Sequence, residues 1–84
     1  MDEKTKILIT DLIKKRPLVK TELFMYARRS LLRKLKIEGY MYWANPKYID
    51  AQIELKKTFD EMVEDGTIIF KPRKPLKINE RIRS

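Results

Sequence analysis

With 84 residues and a mass of 10.2 kDa, the chain has room for one domain and a small core, because a chain this short buries only about 60% of its unfolded surface. It contains neither Cys nor His, which removes disulfide scaffolds, thiolate zinc sites, cysteine nucleophiles and the commonest general base and metal ligand. Twenty Lys and Arg against 12 Asp and Glu leave a net charge of +8, a balance that points to a polyanionic partner.

Residues 3–15 place Ile9, Leu12 and Ile13 at helical spacing, with Thr5 or Leu8 one turn earlier, which predicts a first helix. Asp2 and Glu3 at its start and Lys14, Lys15 and Arg16 at its end match the helix dipole. Pro17 stops it. A second helix is predicted from about Lys20 to Ile37 on the stripe Phe24, Ala27, Leu31 and Leu35, reinforced by Leu23 and Leu32, with Gly39 as a left-handed C-cap. Arg28, Arg29, Arg33 and Lys36 occupy its other side. Three of these are arginine in a chain with 13 Lys and 7 Arg, and arginine suits bidentate phosphate contact. The competing reading is a solvated helix face.

Residues 39–46, Gly-Tyr-Met-Tyr-Trp-Ala-Asn-Pro, are too aromatic for a floppy linker and read as an ordered loop. Tyr40, Tyr42, Trp43 and Tyr48 either stack on single-stranded bases or complete a small core or a dimer interface, and scarcity of other large groups favours the second. Asn45 as N-cap and Pro46 at the first helical position open a third helix running to about Glu64. Its expected buried face is Ile49, Ile53, Leu55, Phe59, Met62 and Val63, and Gly66 ends it. Asp60, Glu61, Glu64 and Asp65 gather at its end. With no nucleophile and no phosphate-cradling glycine loop beside them, they read as a solvated acidic face. We expect no enzyme activity, no metal and no cofactor.

The segments 67–70 and 76–78 are β-prone. Between them, Lys71-Pro72-Arg73-Lys74-Pro75 forbids a regular strand. A hairpin is therefore expected, pairing 67–71 with 75–79 around a basic, proline-stiffened tip, with 79–84 frayed. Lys71, Arg73, Lys74 and Lys77 are either a probe of nucleic-acid backbone or protection of an edge strand.

Charge is unevenly spread. Residues 1–46 carry 11 basic and 5 acidic side chains, net +6; residues 47–66 carry 3 and 6, net −3; residues 67–84 carry 6 and 1, net +5. The longest apolar runs, such as Ile7-Leu8-Ile9, fall far short of the ~20 residues of a membrane span. The charged start Met1-Asp2-Glu3-Lys4 lacks the apolar stretch of a signal peptide. A soluble, cytoplasmic protein is expected.

The series Leu55-x3-Phe59-x2-Met62-Val63-Glu64-Asp65-Gly66-Thr67-Ile68-Ile69 resembles the end of the recognition helix in winged helix-turn-helix domains, where acidic residues, a glycine and a β-branched strand lead into the wing. The order helix, helix, helix, hairpin extends the resemblance over nearly the whole chain. In size and Lys/Ile richness it is similar to compact winged-helix proteins of archaea, their plasmids and their viruses. In a viral case the compartment would be the host cytoplasm.

The resemblance implies a mainly α (α+β) fold, with residues 1–84 as one winged-helix domain. It implies double-stranded DNA binding as a transcriptional regulator, with helix two and the wing on phosphates and the start of helix three, with Lys47 and Tyr48, at the groove. Its DNA-binding set here is Arg28, Arg29, Arg33, Lys36, Lys47, Tyr48, Lys71, Arg73, Lys74 and Lys77. A homodimer is expected, since one module offers only about 600–1,000 Å² of contact. No membrane and no small-molecule substrate is expected as partner. Two features depart from the family: residues 38–46 exceed its usual short turn, and Asp50 and Glu54 make the first half of helix three acidic. The acidic helix three suits the rival reading, a protein–protein adaptor. A second rival is an RNA-binding accessory protein that uses the aromatics.

Overall fold

Pro17, Gly66 and the Asn45-Pro46 pair divide the chain into three helices and a terminal hairpin. The computed structural model describes residues 3–39 and 41–79. In chain order it contains α1 (Glu3–Lys15), α2 (Lys20–Lys34), a single 3-10 turn at Tyr42–Ala44, α3 (Pro46–Glu64), β1 (Ile68–Ile69) and β2 (Lys77–Ile78). This is the mainly α layout of a winged helix, as expected. Tyr40, and the expected fraying over 80–84, lie outside the described residues.

The helix ends follow local chemistry. Asn45 Oδ1 accepts from the Lys47 amide at 2.9 Å, capping α3, with Pro46 next. Gly66, at φ 88°, closes α3 with its amide donating to the Val63 carbonyl at 3.2 Å. The end of α2 departs from expectation. Gly39 is left-handed at φ 94° but does not cap the helix. Lys36 does, at φ 56°. Its amide donates to the Arg33 carbonyl at 3.2 Å, and the Ile37 amide reaches back to Leu32 at 3.0 Å. Those two bonds form a Schellman closure, which satisfies the terminal carbonyls three residues before the glycine.

The core joins all three helices to the hairpin: Ile9 and Ile13 of α1, Leu23 and Ala27 of α2, Leu55, Phe59 and Met62 of α3, with Leu18, Ile68 and Leu76 from outside the helices. Phe59 is at its centre, its ring edge-on to Phe24 at 5.2 Å and to Phe70 at 6.3 Å. The buried residues of α3 are Tyr48, Leu55, Thr58, Phe59 and Met62. Ile49 and Ile53, expected inside, are 43% and 62% exposed. At 3.6 residues per turn Ile53 is turned about 160° from Leu55, so one core cannot bury both.

The hairpin is antiparallel, with Ile68 opposite Ile78 and Ile69 opposite Lys77. Pairing is shorter than the expected 67–71 with 75–79, because Pro72 and Pro75 lack amide donors. The Asn79 amide adds one bond to the Thr67 carbonyl at 2.8 Å. The Leu76 amide donates to the Leu18 carbonyl at 2.7 Å, tying the return side of the hairpin to the connection between α1 and α2.

Candidate nucleic-acid interface

The tip of the hairpin is a four-residue turn. The Lys74 amide donates to the Lys71 carbonyl at 3.2 Å, Pro72 takes the second position and Arg73 the third, at φ 64°. A positive φ there is the mark of a type II turn, a place usually held by glycine or asparagine. Lys71, Arg73, Lys74 and Lys77 are all exposed. Proline fixes the turn's backbone before any ligand arrives, so little ordering entropy is given up on binding.

The four cations expected as one stripe on α2 do not share a side. Arg28 is half-buried on the α3 side, beside the Tyr48 phenol. Arg29 and Arg33 are exposed and line a groove against the end of α1. The five-residue step from Arg28 to Arg33 turns the helix by about 140°. Lys36 follows in its left-handed cap.

At the start of α3, Lys47 is exposed, whereas Tyr48 is only 7% exposed and belongs to the packing. Its ring meets Tyr42 edge-on at 5.2 Å, and Tyr42 meets Trp43 at 5.3 Å, so the 3-10 turn is pinned to the helix start. Burial pushes the Tyr48 phenol above its ordinary pKa, with the Arg28 guanidinium and the Gln52 side chain pulling the other way. Tyr48, expected at the groove, is thus largely enclosed, with its hydroxyl beside Arg28 and Gln52. Trp43, by contrast, is 55% exposed.

Two features of this surface were not evident in the sequence. Ile53 lines an apolar groove between α2 and α3 together with Phe24, Gln52, Lys20 and Lys56. Lys20 also holds its ammonium 5.5 Å from the Phe59 ring centre and 5.7 Å from that of Phe70. Such a cation over two faces is attracted by both ring quadrupoles. The available signal was its place one helical turn before Phe24.

The acidic end of α3 is mostly solvated, with Asp60, Glu64 and Asp65 exposed. Asp65 Oδ1 accepts from the Thr67 hydroxyl at 2.6 Å and its amide at 2.9 Å, and these bonds hold its carboxyl below the usual range. Glu61 departs from that pattern: it is half-buried, and its Oε1 is enclosed with no hydrogen-bond partner. Among the described residues no group of three or more acidic side chains is placed to hold a metal, and no helix is long and apolar enough to cross a membrane. No family model, curated protein or solved structure matches the chain, so a functional reading rests on its own residues.

Proposed function

We propose that the chain binds double-stranded DNA as a winged-helix domain and acts as a homodimeric transcriptional regulator. The observation that carries this reading is the wing tip, where Lys71, Arg73 and Lys74 stand exposed on a turn fixed by Pro72. The hairpin behind it is braced by the bond between Leu76 and Leu18. Cations so placed suit backbone or minor-groove contact. The outward side of α3 presents Ile49 and Ile53, with Lys20 and Lys56 beside Ile53, and Lys47 is exposed at the helix start, about 160° around the axis from Ile49. Apolar side chains suit thymine methyl groups in the major groove, and the flanking lysines suit phosphates.

The exposed Ile49 and Ile53 favour one alternative, an adaptor surface for a protein partner. Salt separates the two readings. Duplex binding through 6–8 phosphates weakens with a log K against log salt slope of about −5 to −7, at roughly −0.9 per phosphate. Arg73→Ala with Lys74→Ala lowers affinity for all duplexes alike and makes the slope shallower by about one for each phosphate the variant no longer neutralises. Unchanged affinity and slope in that variant would overturn the wing's role and leave the adaptor reading the better one.

A further inference from the structure

The arginines that α2 turns away from α3 meet a second set of cations. Lys15 and Arg16, at the end of α1, line a groove with Tyr26, Arg29, Ser30 and Arg33 of α2, over Leu12 and Leu18. Its lining holds four cations and two hydroxyls and no carboxylate. Arg16 is already set in position: its Nη1 donates to the Tyr26 hydroxyl at 3.2 Å, and its guanidinium carbon lies 5.0 Å from the centre of that ring. The α1 dipole stabilises Lys15 without any ligand, but it does not account for Arg29 and Arg33, which belong to α2. Those two stand four residues apart, a spacing at which like charges oppose the helix. An anion between them removes the repulsion.

Lys15 and Arg16 also line an adjoining groove, shared with Lys14, Pro17 and the return side of the hairpin from Pro75 to Ile78, including Lys77. The cations therefore run from α2 across the end of α1 to β2. A single phosphate needs only two or three such groups. A track of six suits a chain of phosphates, and guanidinium forks suit phosphate oxygens in particular.

We propose that this track, Arg33, Arg29, Arg16 and Lys15 continuing to Lys14 and Lys77, binds the phosphodiester backbone of a nucleic acid at a site separate from the wing tip and the outward side of α3. The domain then holds backbone on its α1 side as well, so that DNA either wraps past α3 or is joined to a second segment. This does not depend on α3 entering a groove.

The test compares three proteins, the parent, Arg29→Ala with Arg33→Ala, and Arg73→Ala with Lys74→Ala, each titrated with a short DNA duplex and with tripolyphosphate. Backbone amide resonances report where each probe binds, and anisotropy reports affinity. Both arginines are exposed, so the fold persists, and an unchanged melting temperature checks this. In the parent the duplex shifts amides of residues 15–18 and 26–33. The Arg29/Arg33 variant loses those shifts, binds duplex about tenfold more weakly and shows a salt slope shallower by about two. Parent affinity and slope in that variant would overturn the proposal, as would duplex shifts confined to α3 and the wing. Shifts of residues 15–18 and 26–33 by tripolyphosphate but not by duplex would overturn it too, assigning the groove to a free phosphate compound. Loss of binding in the Arg73/Lys74 variant alone sinks the track and leaves the wing reading standing; loss in the Arg29/Arg33 variant alone does the reverse.

Discussion

Replacing Lys36 with glycine should make the protein more stable while removing a charge. Lys36 has a φ of 56° in the Schellman closure of α2. For a residue with a Cβ that left-handed conformation costs roughly 1–2 kcal/mol. Glycine is free of that strain but gives up about 0.5–1 kcal/mol more backbone entropy on folding. The difference leaves a gain of about 0.5–1 kcal/mol, or about 2–8 °C in melting temperature for a domain of this size. Urea unfolding followed by circular dichroism should show a higher midpoint at an unchanged slope. Two controls isolate the backbone effect. Lys36→Ala removes the charge and keeps the strain, so its midpoint stays near the parent's. Gly39→Ala acts in reverse: at φ 94°, with no atom within 4 Å of an added Cβ, it is destabilised by backbone alone, by about 1–2 kcal/mol. A Lys36→Gly protein that melts at or below the parent temperature would refute the left-handed cap.

Phe59→Ala should cost about 3–5 kcal/mol, since the ring is 1% exposed and packs on Phe24 and Phe70; calorimetry finding the variant within a degree or two of the parent would place Phe59 outside the core. Glu61→Met should raise stability by about 1 kcal/mol, because an enclosed acceptor without a partner costs about that much or more; a lower urea midpoint would mean that Oε1 has a compensating partner. Burial raises the Tyr48 pKa, so its share of stability is complete below about pH 10 and is lost as pH rises through the raised value. Tyr48→Phe should therefore lose less stability than the parent in alkaline unfolding curves, and parallel losses would contradict the sign.

Where single residues dictate a boundary, the sequence was readable. Asn45-Pro46 and Gly66 set the ends of α3, and Pro17 the end of α1, because capping, ring closure and glycine's freedom act locally. The end of α2 was not readable, since a lysine in a left-handed cap has no sequence mark and the nearby Gly39 offers a more obvious stop. The face of α3 was misread for another reason. Apolar residues stand on both its sides, and only the packing of α1, α2 and β1 decides that Leu55 and Phe59 go in while Ile49 and Ile53 stay out. The basic surface shows the same division. The cations of the hairpin tip were legible because Pro72 and Pro75 frame them. The pairing of Arg29 and Arg33 with Lys15 and Arg16 depends on how α1 lies against α2, which no local spacing encodes.

Among the described residues, positive φ outside glycine occurs only at Lys36 and Arg73. Both are long cations, and both occupy positions where backbone energetics favour glycine or asparagine: the C′ site of a Schellman closure and the third site of a type II turn. Local backbone energetics disfavour each, so neither is explained by the stability of its own turn. Their charge is the property they share, and a residue at a corner holds it clear of the surface. Backbone strain at such positions is tolerated when the group it carries is used. The two corners need not carry equal weight. Lys36 follows a helix that closes better on glycine, whereas Arg73 stands at the extremity of a turn that proline has already fixed. On the proposed reading, Arg73 is therefore the position where charge best offsets the strain of its backbone, and the hairpin tip is where duplex contact is to be tested first.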